Sequence, residues 1–212
     1  MKKRTGWLLS LLALTGLFMT ACNKQVTDKL SSDDSRIYIT DYDSTKSFAA
    51  YKTYSISDSV TFIQDNQSAK QLTASDAAYV TAVKTYMSAK GYTLVDRNAS
   101  PDLGVNVSRI INTTTGVISY PDYYGGYGGY YDPYYWGYSD YNYYTPYSYG
   151  TYSIAEGAVS IDILDLKDAS TSNQIEVVWT GLIRGKGLTD ATSADAQVKA
   201  LFDQSPYLTT SN

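Results

Sequence analysis

Between Tyr120 and Tyr152 the chain contains no aliphatic residue. The stretch reads YPDYYGGYGGYYDPYYWGYSDYNYYTPYSYGTY and holds fifteen of the protein's 23 tyrosines and six of its 15 glycines. No Lys or Arg falls between Arg109 and Lys167. A core grows from contiguous apolar surface, most of it aliphatic. This segment does not supply that surface, so the core must come from the sequence on either side. The two most strand-like runs flank it, residues 103–111 and 158–166. The expectation is a compact domain with a long aromatic insertion joining two strands, an insertion the domain does not need in order to fold.

The flanks carry clear periodicities. Ile37 and Ile39 share one face of a short strand, and residues 51–56 form a second. Residues 60–72 are polar and poorly patterned and read as a loop. Thr73-Ala74-Ser75-Asp76 has capping-box spacing, with Asp in place of Glu. Tyr79, Val80, Val83, Tyr86 and Met87 follow on one helical stripe, and Gly91 supplies a left-handed stop. This predicts a helix over 74–90 whose aromatic stripe is core. Leu103, Val105, Val107 and Ile111 alternate with polar residues, and Arg109 is placed at the sheet's rim. After the insertion Val159, Ile161 and Ile163 share a face, and Leu164 and Leu166 change phase, which suggests a β-bulge or burial on both faces. Ile175, Val177, Trp179 and Ile183 are assigned to one face of the last strand, so Trp179 is expected in the core. Ala194, Val198, Leu201 and Phe202 mark a second helix ending before Pro206. The order gives an α+β domain. Its sheet is expected to be largely antiparallel, of about six strands, with two helices on one face and the other face wet.

Three stretches carry a resemblance. ITDYDSTKSFAAYKTYSISDS, the helix with its KGY and Pro101-Asp102-Leu103, and GAVSIDILDLKDASTSNQIEVVWTGLIRG together resemble the DUF4136 family of bacterial lipoproteins. The likeness spans nearly all of residues 37–206 outside the Tyr-rich segment and the 60–72 stretch. It implies a lipoprotein domain of undetermined biochemical role and transfers no catalytic residue.

The N-terminus reads as an address. Met1–Arg4 is basic, Trp7–Phe18 is apolar, and Met19-Thr20-Ala21-Cys22 follows. About 12 apolar residues are too few to span a bilayer, which takes about 20, but they suit a secretory leader. A small residue before the only cysteine of the chain resembles the bacterial lipoprotein signal, with an ordinary signal peptide as the alternative. The resemblance implies cleavage before Cys22 and diacylglycerol on its sulfur. Asn23, where Asp would signal inner-membrane retention, favours the outer membrane, and the lack of an acidic run after it favours the periplasmic face. The expected organisation is a leader over 1–21, a lipidated tether over 22–35, the domain over 36–206 and a tail over 207–212.

Composition excludes several chemistries. With the leader removed, 14 basic residues face 21 acidic ones, a net charge of −7, which argues against a nucleic-acid partner. Histidine is absent and Cys22 is the single cysteine, so His-based triads, Cys–His dyads, His/Cys zinc sites and internal disulfides are ruled out. Asp162, Asp165 and Asp168 are the densest acidic cluster but lack calcium-loop spacing, and turn or solvation roles are expected for them. Arg184-Gly185-Lys186-Gly187 lacks the spacing of a phosphate loop. No catalytic residue, metal or cofactor is assigned. Asp43-Ser44-Thr45 and Asp58-Ser59-Val60 resemble a three-residue signal for bacterial O-glycosylation, which makes Ser44 and Ser59 candidate attachment sites.

Tyrosine brings flat contact area, a hydroxyl and few rotatable bonds, a combination suited to interfaces. Tyr123, Tyr124, Tyr127, Tyr130, Tyr131, Tyr134, Tyr135 and Trp136 are the candidate contact residues. The segment has three readings: low-complexity loop, association with itself or an envelope protein, and stacking on glycan. The functional expectation is a non-enzymatic, lipid-anchored outer-membrane lipoprotein that serves as an interaction or structural module. The alternative is a periplasmic hydrolase or small-molecule binder using Asp residues at the sheet rim.

Overall fold

The computed structural model describes residues 35–64, 67–111, 117–118, 133–146, 152–153 and 157–210. In chain order the elements are β1 (Ile37–Tyr42), β2 (Thr53–Ile56), β3 (Val60–Gln64), β4 (Gln67–Gln71), α1 (Ala74–Ala89), β5 (Thr93–Leu94) and β6 (Leu103–Ile111). They continue with β7 (Val117–Ile118), β8 (Asn142–Tyr144), β9 (Tyr152–Ser153), β10 (Ala158–Asp165), α2 (Ala169–Ser172), β11 (Gln174–Arg184) and α3 (Ala194–Asp203). The fold is α+β, as expected, with nine strands in one mixed sheet.

Three long antiparallel strands, β6, β10 and β11, form its spine. Along the outer side of β11, β1 pairs antiparallel with residues 179–184 and β8 pairs parallel with 174–176. Along the outer side of β6, β2 pairs parallel with residues 103–105 and β3 parallel with 108–111. Each outer strand of the spine is thus continued by two short strands laid end to end. The 60–72 stretch is therefore not a loop. It forms the hairpin β3–β4, because Val60 and Ile63 find buried places beside β6 while β4 needs only polar residues at a free edge.

Helices α1 and α3 cover one face over Leu103, Val105, Val107, Ile161, Ile163 and Trp179. The expected capping box is present: the Asp76 backbone N–H donates to Thr73 Oγ1 at 3.3 Å and the Thr73 N–H to Asp76 Oδ2 at 2.9 Å. Gly91 ends the helix at φ +94°, a value that L side chains resist. Residues past Pro206 are also part of the domain, since Leu208 is fully buried and Tyr207 stacks on Tyr42 at 3.8 Å.

Two expectations about the sheet fail. Arg109 is not at the rim: it is buried beneath the start of α1, with Nε 3.0 Å from Asp76 Oδ1 and its guanidinium 5.1 Å from the Phe62 ring centre. One acid therefore both caps the helix and neutralises the cation beneath it. The second face is not wet either. Asn106, Ser108, Ser160, Asp162 and Thr180 alternate with the core residues as predicted, yet none is more than 3% exposed.

Candidate functional site

The second face of the sheet is where the Tyr-rich segment meets the domain. At one end Leu164, Leu166, Ala169, Ile175 and Val177 make an apolar floor, and Trp136 is buried on it. A short helical turn, Pro133–Trp136, delivers the indole. Gly104 leaves it room: a Cβ there would lie 3.1 Å from Trp136 Cε2 and Cζ2 and 3.1 Å from Leu166 Cδ1. Tyr135, Tyr138, Tyr141 and Tyr143 pack around this cluster, with Tyr138 stacked on Tyr141 at 5.1 Å.

Hydrogen bonds and cation–π contacts pin the same turn to four other segments. Tyr138 donates to the Leu166 carbonyl at 3.0 Å. The Tyr135 hydroxyl accepts from the Asp58 backbone N–H at 3.2 Å, and the Arg97 guanidinium donates to the Tyr135 carbonyl at 3.4 Å. The Lys70 ammonium and the Arg97 guanidinium each lie 4.8 Å from the Tyr135 ring centre, the geometry of cation–π contact. β8 then adds to the sheet edge, with Tyr143 beside Ile175 and Tyr144 beside Glu176.

Trp136, expected as a contact residue, is therefore buried at 7% exposure, and Tyr135 is half-buried and bonded to neighbouring loops. Among the described aromatics of the segment the outward one is Tyr144, which the sequence reading did not single out, at 46% exposure. Cys22, Tyr123, Tyr124, Tyr127, Tyr130 and Tyr131 lie outside the described residues, and Tyr134 is placed only as backbone of the turn. Ser44 is exposed in a turn tied by Asp43, whose carboxylate accepts from the Thr45 N–H at 2.9 Å and its hydroxyl at 2.7 Å. Ser59 donates to Asp58 at 3.1 Å.

The acidic cluster divides between the two faces. Asp162 sits on the buried second face and accepts from Ser160 at 3.2 Å and from Thr180 at 3.0 Å. Asp165, 1% exposed, accepts from Tyr51 at 2.8 Å and from Lys46 at 2.8 Å. Lys46 also lies 2.7 Å from Glu176 and 3.4 Å from Asp168. Burial opposes the charge on Lys46, but hydrogen bonds and attraction from Asp165 and Glu176 outweigh it and hold the ammonium above the usual lysine range. Burial, then the Asp165 charge, pushes the Tyr51 hydroxyl above the usual tyrosine range. The cluster ties the 43–51 segment to β10 and β11, and its carboxylates are engaged by Lys46 and Tyr51. Among the described residues no group of three or more acidic, His or Cys side chains could hold a metal.

Comparison with other proteins agrees with this architecture. Residues 39–207 match the family described as a domain of unknown function, DUF4136. The crystal structure of a DUF4136 family protein from Bacteroides thetaiotaomicron is 32% identical, with a TM-score of 0.70. The match covers 84% of this chain and 99% of that one. Weaker likenesses are to a PelC dodecamer from Paraburkholderia phytofirmans (9% identity, TM-score 0.40, 84% of this chain and 99% of that one) and to a PDZ domain protein from Parabacteroides distasonis (17%, 0.39, 82% and 36%). Neither is close enough to carry an argument. No curated protein matches the chain. The chain belongs to the DUF4136 family, a domain of unknown function.

Proposed function

We propose that this DUF4136 chain is a lipid-anchored lipoprotein of the cell envelope, held through Cys22 in the outer membrane and facing the periplasm. It acts as a non-enzymatic interaction module whose contact surface is the Tyr-rich segment. The observation that carries this reading is the way residues 133–144 are built onto the sheet. Trp136 is the buried anchor, Tyr135 and Tyr138 are bonded to neighbouring loops, and Tyr144 faces solvent from an edge strand. An anchored aromatic row loses little conformational entropy when it meets a partner, and aromatic side chains contribute large contact area. The partner is an envelope protein, a second copy of the chain or glycan. On the same reading Ser44 and Ser59 are sites for O-linked glycan, and Ser44 is the better presented.

Photo-crosslinking in intact cells tests the contact surface. A photoreactive residue at Tyr144 should yield defined envelope adducts. The same probe at Leu94, 45% exposed on β5 at another sheet edge, should not. Equal labelling from both positions, or none from Tyr144, contradicts the proposal. The anchor is tested by the mass of the mature N-terminal residue, which should carry diacylglycerol on Cys22.

A further inference from the structure

We propose that β1 is a self-association edge, on which a second copy of the chain lays its own β1 antiparallel and continues the sheet across a two-fold axis at Thr40. The inference rests neither on the lipid anchor nor on the Tyr-rich contact surface. β1 ends the sheet: it pairs with β11 along residues 37–42 and with no other strand among those described. Just past it, the Asp43 N–H donates to the Val178 carbonyl at 2.9 Å. Hydrogen-bonding sides alternate along an antiparallel strand. Ile37, Ile39 and Asp41 therefore direct their backbone groups at β11, and Tyr38, Thr40 and Tyr42 direct theirs outward. In that outward row the Tyr42 N–H donates to Asp41 Oδ1 at 2.9 Å, and the other backbone groups have no hydrogen-bond partner among the described residues.

Proteins blunt exposed edges by keeping them short or by placing lysine, proline or a bulge on them. The other described edge strands carry such devices: β5 has two residues, β8 has three, and β4 bears Lys70. β1 has six residues, no Lys or Pro, and an unbroken register with β11. Its side chains also fit a copy of themselves. On the helix face they read Tyr38, Thr40, Tyr42, the same in both directions, and both tyrosines are half-buried against the core. A two-fold axis at Thr40 sets Thr40 against Thr40 and each Tyr38 against Tyr42 of the second copy, the kinds of cross-strand pair that stabilise antiparallel strands. These are the outward-directed residues, so the same three pairs exchange the backbone hydrogen bonds. On the other face the axis sets Ile39 against Asp41 and Ile37 against Asp43, so no carboxylate meets its like. An axis at Asp41 would oppose two carboxylates, and one at Tyr38 would leave Asp41 and Tyr42 with no β1 residue opposite. A patch that is complementary to itself about a two-fold closes as a dimer.

The test uses the chain from residue 22 onward with Cys22→Ser, so that no lipid can be attached. Sedimentation over a concentration series should show a dimer. Thr40→Pro removes an outward N–H and no bond to β11, and it should weaken the dimer by about tenfold or more. A thermal melt checks that this variant is folded. Thr40→Lys, which sets two cations face to face on the axis, replaces it if it is not. Leu94→Ser, on β5 at the opposite edge of the sheet, should leave the dimer unchanged. With Cys22 replaced, Thr40→Cys supplies the only thiol of the chain. Mild oxidation should then join two copies, because the Cα atoms of such a pair lie about 5.5 Å apart, within disulfide reach. Leu94→Cys should not crosslink. A monomer at every concentration, a dimer that survives the substitutions at Thr40, or equal crosslinking at positions 40 and 94 overturns the inference. If a monomer becomes a dimer only after residues 23–34 are removed, the chain's own tether occupies this edge and the inference is equally overturned.

Discussion

Trp179 and Trp136 are both buried, but their indole N–H groups end differently. Trp179 is fully enclosed between the sheet and α3, and its N–H donates to the buried hydroxyl of Ser205 at 2.9 Å. Gly181 makes the space, because a Cβ there would sit 2.5 Å from the indole Cη2. The Trp136 N–H is buried with no hydrogen-bond partner among the described residues. Truncating either ring should be costly: Trp179→Ala by about 4–5 kcal/mol and Trp136→Ala by about 3 kcal/mol. The Phe substitutions should separate them. Trp179→Phe deprives Ser205 of a donor, whereas Trp136→Phe removes an unsatisfied one and should cost less than about 1 kcal/mol. Denaturant melts of the four variants check this, and equal losses for the two Phe variants would contradict it. That Trp179 is core was legible in its strand, but the reason was not the one the pattern gave. The register shifts by one residue opposite Ile163 and Leu164, so Val178 is extra. Trp179 therefore faces the helices, whereas Ile175 and Val177 face Trp136. The phase change at Leu164 reflects burial on both faces, since β10 keeps its register with β6 through Leu164, whereas the additional residue lies in β11, where the pattern carried no sign of it.

At the level of elements, the two periodic helices and the three long strands were readable because each buries a stripe at its own repeat. The β3–β4 hairpin and β8 were not. Both are short, polar or aromatic, and take their order from the strand they join rather than from a pattern of their own. The burial of Arg109 was hidden for a related reason, since its counter-charge Asp76 lies 33 residues away in a helix cap. The Lys46 cluster likewise joins segments more than a hundred residues apart. It has a measurable consequence. The Tyr51 hydroxyl and the Lys46 ammonium both keep their protons to higher pH in the native state than in the unfolded chain, as do the buried hydroxyls of Tyr79 and Tyr92. Above about pH 10, where unfolded tyrosine ionises, the native state binds more protons than the unfolded one, so stability falls as pH rises. The melting temperature should be insensitive to these groups between pH 7 and 9 and should drop beyond about pH 10. Tyr51→Phe should make that drop shallower. A slope unchanged by Tyr51→Phe would remove Tyr51 from the account.

For the whole molecule, the central finding is that the sheet is covered on both faces, by α1 and α3 on one and in part by the aromatic turn around Trp136 on the other. Absence of aliphatic residues suggested that the insertion contributes nothing to folding. That inference fails for its second half, because a single indole on a floor of Leu164, Leu166, Ile175 and Val177 supplies the burial that aliphatic residues would otherwise provide. The domain's own aliphatic floor was visible in the sequence, as the residues that change phase after Ile163. What it receives was not, because no local repeat links Trp136 to Gly104 across 32 positions. Family membership was legible in the order of motifs, while the role of the family is not written in any residue cluster. The anchoring of the aromatic segment is best tested by two replacements followed by thermal unfolding. Exchanging residues 120–132 for a short Gly/Ser linker should leave one cooperative transition within a few degrees of the parent. Exchanging 120–146 removes Trp136, Tyr138 and β8 and should lower the transition by about 10 °C or more. If both replacements melt like the parent, residues 133–146 are not part of the folded domain and the account is wrong.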